Sequence, residues 1–324
     1  MRFPSKLHNH ILRRKQMRIL VLGAGGIGGY FGGRLAASEV DVHFLVRPPR
    51  AELLDREGLS IISPIGDLRI PVRTLTAATS PFDAVLLACK AYDLDAAMDA
   101  IAPAVGPSTL ILPLLNGIRQ LDLLDTRFGR EHVLGGLCHI GVTINEAGAI
   151  HHLNKLQRLT LGPRTEGQVE AAEGLHKVLK RGGFDLVLSG SIMQELWEKF
   201  TFLTTYAGMT TLMRAPIGAI MATQEGEAIT LEMLEECSAT AAANGHAPRS
   251  EALAPMISSL TERGSPGTAS MFRDMTRNGP TEHEHIIGDM FLRARAANVA
   301  APLLRVSLAN MQSYTAMRTG LASH

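Results

Sequence analysis

The stretch "MRILVLGAGGIGGYFGGRLAASEVDVHFLVRPPR", residues 17–50, decides the fold. Its first six residues are a short apolar run that stops at a glycine, the pattern of a strand buried on both faces. "GAGGIGG" follows, and residues 26–37 predict a helix whose small residues lie on the side that must approach a sheet. "VDVHFLV" (40–46) predicts a second strand. In this strand–turn–helix setting each glycine has a task. Gly23 allows the tight turn, Gly25 lets the backbone approach a pyrophosphate, and Gly28 lets the helix pack close to the strand. The first N–H groups of the helix have no partner within it and face a bound anion. The competing reading is a glycine-rich turn without a ligand. No GxxxxGK[ST] occurs, so a P-loop is not supported.

The end of the second strand bears on the choice of dinucleotide. An NAD-binding chain places Asp or Glu there, about 20 residues beyond the glycines, to bond the ribose 2′-hydroxyl. Here Arg47 stands 19 residues after Gly28, and residues 44–51 contain no acid. A guanidinium attracts a 2′-phosphate that a carboxylate would repel. NADP(H) is therefore expected over NAD, with Arg50 as a second arginine near the same phosphate. An exposed arginine without a partner is the alternative.

Strand and helix signals continue to alternate. Two short strands around a Pro-Ile-Gly-Asp turn are expected in 58–73. Strands at 82–90 and 108–117 are each followed by a helix, ending near Ala102 and Phe128. Strands near 133–142, 150–153 and 158–161, a helix at 166–181 and a strand at 184–188 complete this half. The alternation implies an α/β fold with a Rossmann-type, doubly wound parallel sheet, because parallel strands need crossover connections. At "LSGSI" (188–192) the pattern changes. Beyond it lie helical segments at about 193–212, 224–244, 249–263, 281–298 and 302–319. The expected organisation is a basic N-terminal extension (1–16), a dinucleotide-binding domain (17–188) and a mostly helical domain (189–324).

Composition narrows the function classes. Lys and Arg number 32 against 31 Asp and Glu, which argues against nucleic acid as the main partner. No run of 18 apolar residues predicts a membrane span. Cys89, Cys138 and Cys237 are far apart and form no CxxC, as expected for thiols in the cytoplasm.

A hydride-transfer enzyme acting on a ketone needs a proton donor. On a helix, Lys199 shares a face with Leu203, Tyr206 and Ala207. Apolar neighbours would desolvate its ammonium, lower its pKa and ease proton donation. The alternative is a surface pair with Glu195, four residues earlier. In "NGPTEHEHIIGDM" (278–290), Thr281 or Asn278 is a candidate helix cap. Glu282 suits either the helix dipole or a substrate hydroxyl. His283 and His285 do not share a helix face and HExxH is absent, so no metal site is expected.

Taken together, these motifs resemble the ketopantoate reductases (2-dehydropantoate 2-reductases), which reduce ketopantoate to pantoate with NADPH in pantothenate biosynthesis. The resemblance runs from Met17 to about Arg318. It rests on "GAGGIGG", Arg47, "CKAYDL" with Lys90, "LLNGI" with Asn116, "ELWEKF" with Lys199, "ASMFRD" with Ser270 and "GPTEHEHIIG" with Glu282. It implies that Lys199 is the catalytic proton donor and that Glu282 binds and places the substrate. It implies that Asn116 lies near nicotinamide and substrate, and that Ser270 contacts the substrate carboxylate. Arg47 and Lys90 match basic residues for the cofactor. It also implies a helical second domain with catalysis in the cleft between domains.

The departures concern the substrate. Where the family pattern has asparagines four and eight residues after the lysine, this chain has Leu203 and Ala207. Ile217 stands near the place of a third asparagine, and the usual aspartate and tyrosine after the glutamate are Glu284 and His285. Each lost amide donor would leave a substrate polar group unpaired, costing about 1–3 kcal/mol. The expected function is reduction of a 2-oxo acid, ketopantoate first. A same-fold reductase of a less polar 2-oxo acid comes second and a non-catalytic NADPH-binding regulator third. A homodimer is compatible with the helical domain.

Overall fold

The computed structural model describes residues 16–320, so the expectation for the N-terminal extension lies outside it apart from Gln16. The N-terminal domain contains β1 (Arg18–Leu22), α1 (Gly26–Ala37), β2 (Asp41–Leu45), α2 (Pro48–Glu57), β3 (Leu59–Ile62), β4 (Leu68–Ile70), β5 (Arg73–Leu75) and β6 (Ala84–Leu87). It continues with α3 (Leu94–Ile101), β7 (Leu110–Pro113), α4 (Arg119–Phe128), β8 (Gly135–Ile144), β9 (Ile150–Gly162), α5 (Val169–Leu179) and β10 (Asp185–Leu188). The helical part contains α6 (Ile192–Met213), α7 (Ile217–Ile220), α8 (Gly226–Ala243), α9 (Ser250–Leu260) and α10 (Ser270–Thr276). A π-helical turn (Glu284–Gly288), α11 (Asp289–Ala296) and α12 (Pro302–Arg318) follow.

The first sheet is wholly parallel, in the order β5-β2-β1-β6-β7. β1 lies at its centre and is buried on both faces. Ile19 and Val21 join one apolar cluster, Leu20 and Leu22 the other, as the two-residue period of a strand requires. A second sheet, β10-β9-β3-β4 with β8 beside β9, was not foreseen in the sequence. It is mixed, because β8 and β9 are joined by a short turn and must run antiparallel. The strands expected at 150–153 and 158–161 are one strand, which pairs with β8 across an irregularity between Ile140 and Val142.

The second sheet explains the glycines of α1. This helix lies between the sheets and is crowded from both. A Cβ on Gly32 would come within 2.8 Å of Phe44, in the first sheet; one on Gly33 would come within 2.7 Å of Leu59, in the second.

In the helical domain, α7 and α10 were too short to show a helical period. The single helix expected over 281–298 is a π turn followed by α11, and Asn278 adopts a left-handed conformation (φ 54°) instead of a cap. The long helix α6 runs through the centre. Its Ile192, Leu196, Trp197 and Phe200 enter the same buried cluster as Leu20, Val85 and Leu87 of the first sheet. None of the described helices is long and apolar enough to cross a membrane.

Candidate active site

The parallel sheet ends its central strands side by side, and the candidate cofactor residues follow those ends. Gly23, Gly25 and Gly28 follow β1, Arg47 follows β2, Lys90 follows β6 and Asn116 follows β7. Ligands of open parallel sheets lie outside these carboxyl ends.

The glycine loop suits an anion. Gly23 has φ +88°, and a Cβ on Gly28 would strike the Gly23 carbonyl oxygen. In front of Gly25 the space is open, with no atom within 4 Å of a Cβ placed there. α1 begins without a side-chain cap and without an acidic residue in its first turn. Its first N–H groups are thus left for a ligand, and a pyrophosphate fits them by charge and by access.

The two arginines divide. Arg47 is 80% exposed at the side chain and meets Asp93 at 3.1 Å. A 2′-phosphate on Arg47 would have to displace this carboxylate. Arg50 has protein partners of its own. Its Nη2 donates to the Ala24 carbonyl of the glycine loop at 2.9 Å, and its guanidinium is wedged against Gly148 in the β8–β9 turn. It ties the glycine loop to the β8–β9 turn, a contact hidden in the sequence because Ala24 and Gly148 are distant along the chain.

Lys90 faces the helical domain. Its Nζ lies 3.3 Å from Asp274 Oδ2 and 3.3 Å from Glu282 Oε2. The Ala91 N–H donates to the other oxygen of Glu282 at 2.9 Å. Burial alone would lower the Lys90 pKa, but Glu282 and Asp274 more than offset it and hold the lysine above its ordinary value. Asp274, Lys90's other partner, was missed in the sequence. It lies one helical turn after Ser270 on α10, so Ser270 shares the face turned toward Lys90. The Ser270 side chain is exposed and has no hydrogen-bond partner among the described residues.

Lys199 comes from α6 and reaches β8, where Nζ donates to the Cys138 carbonyl at 2.5 Å. Burial pushes its pKa below the ordinary lysine value. The pair with Glu195 does not form: Glu195 accepts from the Ser189 hydroxyl at 2.5 Å instead. Of the other α6 positions singled out, Leu203 is half-buried and Ala207 buried. Lys90 and Glu282 are thus in contact, while Lys199 is held separately, on a backbone carbonyl.

The comparisons with known proteins agree with this architecture. Residues 19–166 match the family model "Ketopantoate reductase PanE/ApbA", and residues 191–314 match "Ketopantoate reductase PanE/ApbA C terminal". The chain is 35% identical over 302 residues to the "Uncharacterized oxidoreductase YkpB" of Bacillus subtilis, covering 93% of this chain and 99% of that one. It is 25% identical over 295 residues to a 2-dehydropantoate 2-reductase of Nostoc, covering 89% and 92% of the two chains. The crystal structure of 2-dehydropantoate 2-reductase from Geobacter metallireducens superposes with a TM-score of 0.84 at 27% identity, over 92% of this chain and 99% of that one. The chain therefore belongs to the ketopantoate reductase family and is an NADP-dependent oxidoreductase.

Proposed function

We propose that the chain reduces a 2-oxo acid to the corresponding 2-hydroxy acid, with 2-dehydropantoate as the substrate and (R)-pantoate, on the way to pantothenate, as the product. The observation that carries this reading is Lys199: a desolvated ammonium with a lowered pKa, held by a backbone carbonyl and without a carboxylate partner among the described residues. NADPH, when bound, supplies the hydride. The residues of the chain do the rest. The α1 N-terminus and glycine loop hold the pyrophosphate, Arg47 the 2′-phosphate, and Lys90 the cofactor edge. Asn116 orients the reacting groups from the end of β7. Ser270 binds the substrate carboxylate, and Glu282 accepts from a substrate hydroxyl. Lys199 Nζ gives its proton to the ketone oxygen as negative charge develops there.

The test is NADPH and NADH oxidation, side by side, against a panel of 2-oxo acids. Turnover of 2-dehydropantoate with preference for NADPH is expected; no turnover of any member, with tight NADPH binding, would favour a non-catalytic regulator instead. Leu203 and Ala207 favour a second reading, in which the substrate is a less polar 2-oxo acid. A kcat/KM higher for an apolar 2-oxo acid than for 2-dehydropantoate selects that reading.

A further inference from the structure

Asn116 and Glu282 come from different domains, yet one buried pair of side chains ties their backbones together. Gln120, in the first turn of α4, is fully buried. Its amide nitrogen donates to the Gly117 carbonyl at 2.8 Å and to the Leu115 carbonyl at 3.4 Å. These two residues flank Asn116. The amide oxygen of Gln120 faces His285 Nε2 at 2.7 Å. His285 is buried in the π turn, three residues after Glu282, and its backbone N–H donates to the Glu282 carbonyl at 3.1 Å. The two loops also touch directly. Gly117 has φ +85°, and a Cβ there would come within 3.2 Å of both the His285 ring and its carbonyl oxygen.

The hydrogen-bond roles in this pair are fixed. The Gln120 nitrogen is occupied with carbonyl acceptors, so the oxygen is what His285 meets. Nε2 must therefore carry the proton, and the imidazole is the donor. Burial, with Arg119 and Arg293 nearby, brings the His285 pKa down to about 4, so the ring is neutral at neutral pH. A buried pair of this kind has no slack: removing one partner leaves the other unsatisfied. π turns recur at functional sites, and this one carries His285 one turn beyond Glu282.

We propose that Gln120 and His285 are a positioning pair that sets the Asn116 loop against the Glu282 turn, and so fixes the spacing of two groups that hold the 2-oxo acid. It rests on the reductase reading above. Neither residue touches the substrate; both act through the backbones they hold. His285 stands where the family resemblance expects tyrosine.

The test uses the full chain with the best 2-oxo acid of the panel, and NADPH binding is measured separately by fluorescence titration. His285→Leu and Gln120→Met should each raise KM for the 2-oxo acid about tenfold, with the NADPH Kd within about twofold of the unaltered protein. The double variant should be no worse than either single, because both remove the same link. His285→Gln keeps an N–H donor and should recover most of the loss. An unchanged KM, additive effects, or equal weakening of NADPH binding would each overturn the proposal. Hydrogen exchange needs no turnover: residues 114–119 should exchange faster in His285→Leu, and unchanged exchange would also overturn it. If no 2-oxo acid is turned over, the reductase reading fails, while the exchange result still decides whether the link exists. Should the variants not fold, nitrogen NMR of the unaltered protein decides: an Nδ1–H tautomer of His285 would be fatal to the pair.

Discussion

Each domain contributes one lysine to the candidate site, and their surroundings are opposite. Lys90, from the end of β6, meets two carboxylates and is held protonated above its ordinary pKa. Lys199, from α6, meets only the Cys138 carbonyl among the described residues and has its pKa lowered. Burial acts in the same direction on both. The difference is Glu282 and Asp274. A lysine between carboxylates is a fixed positive charge, fit to bind; a desolvated lysine with a neutral acceptor can release its proton, fit to catalyse. In the proposed reaction one residue type thus takes two tasks through its neighbours.

The largest effect expected is at Lys199. Lys199→Ala should lower kcat by about 10²–10⁴-fold, the range of general acid catalysis, with NADPH Kd unchanged in titration. A variant near the wild-type rate would remove Lys199 from the proton-donor role. The same comparison fixes a pH dependence. A proton donor must be protonated, so kcat should fall as pH rises through the Lys199 pKa, and burial places that fall below the ordinary lysine value of 10.5. A kcat independent of pH up to that value, in a rate limited by chemistry, would break the contrast between the two lysines.

A smaller effect is expected at Glu282. Glu282→Gln removes one negative charge from beside Lys90 and replaces one of two acceptor oxygens with a donor. It should lower kcat/KM for the 2-oxo acid about 10–100-fold, from a charge-assisted hydrogen bond of roughly 1.5–3 kcal/mol. An unaltered kcat/KM would show that Glu282 serves only to hold Lys90.

Arg47→Ala should raise the Kd for NADPH about tenfold and leave that for NADH within about twofold. Equal changes for both would separate Arg47 from the 2′-phosphate. The smallest effect is expected at Asp93, the present partner of Arg47. An exposed ion pair is worth about 0–1 kcal/mol, so Asp93→Asn should tighten NADPH binding by only about two- to fivefold. Weaker NADPH binding in this variant would show that Asp93 does not compete with the phosphate.

The sequence revealed most where the physics is local. β1, the glycine loop and α1 were readable because an apolar run, a turn and a helix face each depend on neighbouring residues. The five-stranded parallel sheet followed from the alternation of elements. The second sheet did not, since β9 pairs with β3 and β10 across long separations and only its pairing with β8 is local. The same holds for the site. Lys199 stood out by its apolar helical neighbours, but its carbonyl partner is 61 positions away. Arg50 was singled out for its closeness to Arg47 in sequence, but its hydrogen bond to Ala24, in the loop after the neighbouring strand β1, was not legible there. Gln120 and Asp274 carried no signal, because an isolated polar residue on a helix looks the same whether it faces solvent or a partner in another domain.

The buried cluster that the two domains share has a consequence for how the molecule comes apart. It takes side chains from β1, β6 and β7 of one domain and from α6, α11 and α12 of the other, without a break. Domains joined by a thin or polar contact melt separately; domains that share a core are one cooperative unit. The helix carrying Lys199 is also the helix that closes this core. Heating should therefore give a single transition, and the temperature at which activity disappears should be the temperature at which both halves unfold.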